Sequence, residues 1–134
     1  MTGIAEKKTD NYRFNFEKLE VWKSSIVFAK NVYGIVNKFP TEERYGLTSQ
    51  MKRAAISISS NIAEGSAKQS LKDQARFTEI AFGSLLELLN QFILAFELSF
   101  ITDNELLIIR EQIEILSRQI NGLKNSQIRR FNEK

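Results

Sequence analysis

Apolar residues recur at alternating spacings of three and four along four stretches of this chain. Such spacing places them on one face of an α-helix. The helices predicted in this way cover about residues 16–39, 41–64, 71–100 and 103–124. No alternation typical of a β-strand competes with the pattern. Because the connections are short, successive helices are expected to run in opposite directions, so the sequence predicts an all-α fold, an antiparallel up-down four-helix bundle.

Residues typical of helix ends support these boundaries. Pro40 is the only proline and is expected to end the first helix. Gly65 is placed to stop the second helix as its C′ residue. Ser70 and Thr102 each begin a sequence of the capping-box form, so they are predicted to cap the third and fourth helices.

The second helix has a less simple start and an unusual composition. Thr41, with two glutamates after it, has the form of an N-cap and an acidic first turn. Gly46 is expected to interrupt this start, and Thr48 is then predicted to cap the main helix. Small side chains would let neighbouring helices approach closely, which favours a central place in the packing. These side chains are Ala54, Ala55, Ser57, Ser59, Ser60 and Ala63.

The 134 residues fit one domain. We divide it into a flexible lead-in over residues 1–15, a helical body over residues 16–125 and a basic tail over residues 126–134. No apolar run approaches the roughly 18–20 residues of a membrane span, and residues 1–18 lack the apolar stretch of a secretory signal. We therefore expect a cytoplasmic protein without a membrane partner.

The chain contains no cysteine and no histidine. It therefore lacks thiol nucleophiles, thiolate ligands, the commonest general base and the commonest metal ligand. We predict that it is not an enzyme and that it binds neither a cofactor nor a metal. The acidic residues leave a metal-dependent nuclease as one alternative. Glu79 and Glu87 share a face of the third helix, but eight residues separate them by about 12 Å, so this alternative ranks last.

Basic residues cluster around the predicted start of the third helix, although the net charge is only +3. Lys68, Lys72 and Arg76 lie where free backbone N–H groups and the helix dipole favour an anion. Lys52 and Arg53 of the second helix complete a candidate nucleic-acid-binding patch. The alternative, equally compatible with one sequence, is that these cations simply coat a solvated surface.

Polar residues form a stripe beside the apolar seam of the second helix. Gln50, Ser57, Asn61 and Glu64 follow one another at spacings of seven, four and three. Such a stripe is either a half-buried hydrogen-bond network between helices or part of a subunit interface, in which Arg53 could pair with an acid. Simple exposure to solvent is the third interpretation.

Three stretches of the chain resemble a known family. They are FEKLEVWKSS (Phe16–Ser25), VYGIVNKFPTEERYGLTSQMKRAAISISSNIAEGSAK (Val32–Lys68) and IAFGSLLELLNQ (Ile80–Gln91). They are similar to bacterial four-helix-bundle proteins encoded in 23S rRNA intervening sequences and, more distantly, to the accessory variability proteins of diversity-generating retroelements. The fourth helix matches only as a heptad pattern.

The resemblance implies that the chain is the protomer of a barrel-like homopentamer. For the retroelement relatives it implies a basic surface that binds nucleic acid and a reverse transcriptase, whereas the intervening-sequence proteins have no established molecular role. The family's motif residues in this chain are Trp22, Tyr45, Gly46, Leu47, Gln50, Arg53, Ala54, Ser57, Asn61, Ile62, Ala63, Glu64, Gly65, Gly83, Ser84 and Glu87. Those expected to serve structure or assembly are Trp22, Tyr45, Gln50, Ser57, Asn61, Glu64, Gly65, Gly83 and Glu87.

The chain departs from the family pattern at two positions. Ser59 stands where relatives usually have a proline, so a kink in the second helix is not required here. Leu89 occupies a position that is often acidic, which makes that face more apolar and removes a carboxylate from any paired site.

Three functional hypotheses follow. The first is a homo-oligomeric module that binds RNA or DNA, with RNA favoured, through its basic surface. The second is an oligomeric scaffold that binds a protein partner, as an accessory factor of a reverse transcriptase does. The third is a nuclease that processes precursor rRNA.

Overall fold

The computed structural model describes residues 13–133. Among these residues there are four α-helices and no β-strand, as predicted: α1 spans Glu20–Val36, α2 Leu47–Ser66, α3 Leu71–Glu97 and α4 Asp103–Asn132. Short 3-10 turns at Asn15–Lys18 and Thr41–Glu43 precede α1 and α2. The predicted lead-in over residues 1–15 lies mostly outside the described residues, and so does Lys134 of the predicted tail.

The four helices pack in a cycle. α2 contacts α1 and α3, α3 contacts α4, and α4 returns to α1. Phe39 follows α1 and Phe100 follows α3, and their rings lie 5.4 Å apart. The α1–α2 and α3–α4 connections therefore meet at one end of the molecule. The contact between α1 and α4 is the least extensive of the four, so the cycle is incompletely closed along that seam.

One apolar core lies inside this cycle. It is built from the residues with alternating spacing, because these are the positions that face the neighbouring helices. The largest fully buried apolar side chains are Phe92, Met51, Ile58, Ile62, Leu85, Leu88, Ile109 and Ile120. On the α2 side the core also includes the small residues Ala54 and Ala55. Their size lets α2 pack closely against both α1 and α3.

Two helix starts agree with the capping predictions. The Ser70 side chain accepts a hydrogen bond from the backbone N–H of Asp73 at 3.1 Å. Thr102 and Glu105 form a reciprocal capping box, with distances of 2.8 and 3.1 Å. Each cap satisfies N–H groups that have no partner within the helix, which contributes about 1 kcal/mol.

The predicted interruption at Gly46 is confirmed, because α2 begins directly after it at Leu47 and the residues near 41 form only the short 3-10 turn. The predicted cap is wrong, because Thr48 is buried inside α2 and does not cap it. The Glu43 carboxylate, held by the preceding 3-10 turn, accepts from the Leu47 N–H at 3.3 Å in its place. The helix also ends at Ser66, two residues after the predicted end. Gly65 lies within α2, one residue before this end, so Gly65 is not the C′ residue that stops the helix.

The other helices also depart from their predicted ends. α1 ends at Val36 and α3 ends at Glu97, in each case three residues before the predicted position. After α3, Ser99 adopts a left-handed φ of 64°, which a continuing right-handed helix does not allow. α4 instead extends beyond residue 124 to Asn132. Most of the predicted C-terminal tail is therefore helical.

The two departures from the family pattern fit these helices. Ser59 lies in the middle of a continuous α2, where it is buried and its hydroxyl donates to the Ile56 carbonyl at 3.2 Å. A proline at this position would remove a helical N–H donor, whereas serine keeps it. Leu89 is partly buried against the core.

α3 is unusually apolar for its length. Among the described residues it is the one helix that is long and apolar enough to cross a membrane, judged by length and composition alone. Of the 18-residue apolar window that meets this criterion, 39% is buried within the protein. The expectation that no segment of this kind exists is therefore not met. A helix at the centre of a core has the same composition, and α3 does pack between α2 and α4.

Candidate nucleic-acid interface and polar seam

Three of the predicted basic residues lie together at the start of α3. Lys72 and Arg76 are exposed and one helical turn apart, and Lys68 lies in the preceding turn. The ring of Phe77 joins two of them, since its centroid is 4.8 Å from Lys68 Nζ and 5.0 Å from Arg76 Cζ. These distances are typical of cation–π contacts. The N-terminus of α3 therefore presents a cationic surface with an aromatic ring inside it.

The turn that carries Lys68 is held by backbone and side-chain contacts. The Lys68 carbonyl accepts from Gln74 Nε2 at 2.9 Å, and its N–H donates to the Gly65 carbonyl at 3.1 Å. A Cβ on Gly65 would lie 3.0 Å from the Cβ of Phe77 and 3.3 Å from the Gln74 carbonyl oxygen. Glycine lets α2 approach α3 this closely without displacing these atoms, and the turn that follows brings Lys68 to the Phe77 ring.

Asp73 is the acid nearest to this basic group along the helix. Its carboxylate lies 3.8 Å from Arg76 Nε, with both side chains more than half exposed. An exposed pair at this distance is stabilised only slightly and is screened by salt. It therefore leaves Arg76 available to a phosphate.

The structure adds α4 to this end of the molecule. The Thr78 hydroxyl donates to Gln127 Oε1 at 2.8 Å, and Lys124 Nζ lies 3.1 Å from Glu79 Oε2. The last turns of α4 therefore lie beside the first turns of α3. Two exposed arginines, Arg129 and Arg130, belong to the last turn of α4. We name Lys68, Lys72, Arg76, Arg129 and Arg130 the basic end.

The sequence predicts a basic tail over residues 126–134, which contains Arg129 and Arg130, but it does not place them at this site. One signal in the sequence is the three-and-four spacing of α4, which continues from Ile120 through Leu123 to Gln127. Because Gln127 is polar, its residue type does not indicate burial, yet it is only 3% exposed. Its partner lies 49 positions earlier in the chain, which no local pattern indicates.

The other two predicted cations lie elsewhere. Thirteen positions separate Arg53 from Ser66, the last residue of α2, which corresponds to about 20 Å along the helix before the turn that carries Lys68. Lys52 Nζ lies 5.0 Å from the centre of the Tyr33 ring on the α1 side. Arg53 is exposed and lines a cleft on the α3 side. The five cations predicted as one patch therefore form at least two separate groups.

Arg53 belongs to a polar seam between α2 and α3. The hydroxyls of Ser57 and Ser84 are hydrogen-bonded at 2.8 Å, and Asn61 Nδ2 donates to Ser57 Oγ at 3.0 Å and to its carbonyl at 2.8 Å. Beside this network is an open cleft of about 310 Å³, lined by Gln50, Arg53, Ala54, Ser57, Ser84 and Glu87. Ser57 and Asn61 are thus part of a network between helices, whereas Gln50 and Glu64 are exposed.

The remaining motif residues lie at scattered positions. Trp22 is partly buried and meets the ring of Phe16 edge-on at 4.9 Å. Tyr45 is 89% exposed at the start of α2. Gly83 is exposed on α3, and nothing lies within 4 Å of where its Cβ would be. Glu87 accepts a hydrogen bond of 3.4 Å from the buried amide of Gln91.

No cluster that could hold a metal occurs among residues 13–133, where no three Asp, Glu, His or Cys side chains come together. Glu79 pairs with Lys124, whereas Glu87 faces the α2–α3 cleft. The carboxylates considered for a nuclease are therefore not brought together within this region.

Comparison with known proteins agrees with the four-helix fold. The family model for the 23S rRNA-intervening sequence protein matches residues 17–122. A crystal structure of a protein of unknown function from the S23 ribosomal protein family of Bacteroides thetaiotaomicron has the same fold, with a TM-score of 0.55 and 24% sequence identity. The alignment covers 83% of this chain and 97% of that one. A search of curated proteins gave no match. The resemblance seen in the sequence is thus confirmed, and the chain belongs to the 23S rRNA-intervening sequence protein family.

Proposed function

We propose that this protein is a non-enzymatic, homo-oligomeric module that binds structured RNA, or DNA of similar shape, in the cytoplasm. The observation that carries the proposal is the basic end. There, Lys72 and Arg76 of α3, Lys68 of the turn before α3 and two arginines of the last turn of α4 lie at the same end of the molecule as the N-terminus of α3, which itself favours anions. Phosphates are the anions that nucleic acids present in closely spaced rows, so several cations on one surface bind them together.

The opposite end of the molecule has the opposite charge. The two connections that meet at Phe39 and Phe100 are flanked by five acids, Glu42, Glu43, Glu97, Asp103 and Glu105, and by two cations, Lys38 and Arg44. A nucleic acid would be attracted to one end and repelled by the other. This polarity supports binding in one orientation.

Association of several copies would strengthen such binding. We propose an antiparallel up-down protomer, and the resemblance to the family favours a homopentamer. In a ring, each basic end is repeated around the axis, so phosphate contacts add and the effective concentration of each further contact is high. The mild net charge of one copy is then no obstacle to tight binding.

Gel-shift titration with fragments of 23S rRNA at several salt concentrations tests this proposal. The variant Lys68→Glu/Lys72→Glu/Arg76→Glu should abolish binding without changing the helical content or the mass in solution. In the wild type, each phosphate contact made by these three cations should contribute about 0.7 to 0.9 to the slope of log affinity against log salt concentration.

A matched control distinguishes the basic end from total charge. Arg44→Glu/Arg110→Glu/Arg118→Glu makes the same change in net charge at three exposed arginines away from that end. This variant should retain most of the affinity. If the two variants lose binding equally, or if the wild type binds no fragment at low salt, the basic end is not a nucleic-acid interface.

A protein-interaction scaffold is the second candidate. It is favoured by the large apolar side chains that the protomer leaves exposed on α3 and α4, such as Leu86, Leu94, Leu107 and Ile115. Affinity capture after nuclease treatment separates the two functions. A specific protein that binds both the Lys68→Glu/Lys72→Glu/Arg76→Glu variant and its charge-matched control would favour the scaffold function over nucleic-acid binding.

A further inference from the structure

The seam between α1 and α4 is an open groove. Two cavities of about 330 and 460 Å³ lie along it, and they share Asn31 of α1 and Gln112 of α4 as lining residues. They therefore form one continuous groove. The α4 wall carries Ile108, Gln112, Ile115 and Gln119, at spacings of four, three and four. The groove thus has the repeat of a helix-packing surface without a helix in it.

Most of the groove surface is apolar. Phe28 and Leu116 are buried beneath it, while Ile108 and Ile115 remain about half exposed on its wall. Two amides interrupt the apolar surface. Among the described residues, Gln112 Oε1 and Gln119 Oε1 are buried without a hydrogen-bond partner. A buried unpaired carbonyl destabilises the protein by about 1–3 kcal/mol, so turning either amide toward a donor in the groove would be favoured.

α3 carries a stripe that matches this groove. Ile80, Gly83, Glu87, Asn90 and Leu94 are all exposed and follow one another at spacings of three and four. Gly83 has open space around it, which permits another helix to approach closely. α3 is apolar enough to be fully covered, yet only 39% of its most apolar window is buried in the protomer. Its outer stripe therefore lacks a covering surface.

We propose that the α1–α4 groove of one copy receives the outer stripe of α3 from a second copy. Leu94 would contact Ile115 of the groove, and the Asn90 amide offers a donor for a groove glutamine. Glu87 would face the groove edge that carries Lys30 and Lys38. This inference rests on the oligomeric part of the proposed function and names the surfaces that join the copies.

Such a contact joins two different faces of the protein, the groove of one copy and the α3 stripe of the next. Each copy therefore has one free groove or stripe to bind a further copy. Interfaces of this kind close into rings or extend as filaments. The proposal therefore predicts an assembly larger than a dimer, with one groove and one stripe used per copy.

Light scattering over a range of concentrations tests the contact. Ile115→Lys in the groove and Leu94→Lys in the stripe should each shift the mass toward that of the 15.4 kDa monomer. The dissociation constant should rise about 30-fold or more, as for a residue at the centre of an interface. Both side chains are about half exposed in the protomer, 53% and 46%, so folding should survive the change.

Two exposed apolar residues serve as matched controls. Leu107 is 56% exposed on α4 outside the groove, and Ile56 is 47% exposed on α2. Leu107→Lys and Ile56→Lys should leave the assembly unchanged. If they disrupt it as strongly as Ile115→Lys and Leu94→Lys do, loss of surface apolarity explains the effect and the proposed contact is wrong.

Crosslinking identifies the two faces directly, because the chain has no cysteine of its own. Single variants Ile115→Cys and Leu94→Cys are mixed and treated with a short bis-maleimide. A crosslinked pair that requires both variants supports the proposal. Crosslinking of Ile115→Cys with itself would mean that α4 packs against α4 of the second copy, which overturns the assignment of α3 as the occupant.

Other outcomes separate this inference from the proposed function. An oligomeric wild type that resists both lysine variants overturns the groove contact but leaves oligomerisation standing. A monomeric wild type overturns both. A monomer that sediments with phosphatidylcholine–phosphatidylglycerol vesicles, and no longer does so as Leu94→Lys, would mean that lipid covers α3.

Discussion

Replacing the hydroxyl of Thr78 with a methyl group of similar size should destabilise the protein, although the shape of the side chain hardly changes. Thr78 is 1% exposed, and its hydroxyl donates to Gln127 Oε1 at 2.8 Å, with the Gln74 carbonyl as a second acceptor at 3.0 Å. Thr78→Val keeps the shape of the side chain but leaves the buried Gln127 oxygen without this donor. The contact matters because it holds the end of α4, and with it Arg129 and Arg130, against α3.

The magnitude follows from which group is left unpaired. A buried amide oxygen that loses its donor costs about 1–3 kcal/mol, and we expect about 2 kcal/mol for Thr78→Val. Gln127→Met should cost less, about 1 kcal/mol, because the Thr78 hydroxyl retains the Gln74 acceptor. In the double variant the site is apolar on both sides. Its loss of unfolding free energy should therefore be smaller than the sum of the losses of the two single variants, by about 1 kcal/mol or more.

Denaturant unfolding at one fixed protein concentration measures these differences, since an oligomer would make stability depend on concentration. With an unfolding entropy of about 2.1 cal/mol/K per residue, 2 kcal/mol corresponds to a fall of about 7 °C in Tm. The reasoning is refuted if Thr78→Val costs less than about 0.5 kcal/mol, or if the two single effects simply add.

Three further predictions concern the contacts that position the helices. Gly65→Val should destabilise the protein by about 1–3 kcal/mol, because the new side chain meets Phe77. Gly122→Ala, with open space around it, should stabilise the protein by up to about 1 kcal/mol. Equal effects of the two variants in thermal unfolding would contradict the close approach of α2 to α3 at Gly65. Thr102→Ala should lose about 1 kcal/mol with the α4 cap, and an unchanged midpoint in urea would argue against that cap. Lys124→Met should lower the free energy of unfolding by no more than about 1 kcal/mol, because Glu79, the acid that pairs with Lys124, is largely exposed. A larger loss of stability at both low and high salt would contradict this estimate.

The helices themselves were predictable because their signals are local. Three-and-four spacing and the caps at Ser70 and Thr102 each involve residues within a few positions of one another. Some bounds failed for local reasons, such as the Glu43 carboxylate that accepts from the Leu47 N–H and the left-handed Ser99 after α3. Others involve distant groups: the part of α4 beyond residue 124 carries Gln127, whose partner is Thr78, and Gly65 near the end of α2 lies against Phe77.

The candidate site was predictable to a similar extent. Lys68, Lys72 and Arg76 are neighbours in the sequence, so their grouping at one helix start could be inferred before the structure was known. The separation of Lys52 and Arg53 from Lys68 follows from the length of α2, since the 13 helical positions from Arg53 to Ser66 span about 20 Å. The addition of Arg129 and Arg130 depends on how α4 lies against α3, which the composition of the tail does not indicate.

The sequence by itself determined the four helices and two of their caps, because periodicity and capping act over one or two turns of chain. It also determined the family, through the motif residues of α2 and α3. Only the tertiary structure decided which charged groups share an end, which serines and amides form the polar seam, and that the groove between α1 and α4 stays open. These features depend on side-chain size and hydrogen-bond partners that meet across helices distant in the sequence, and no local pattern records such pairings.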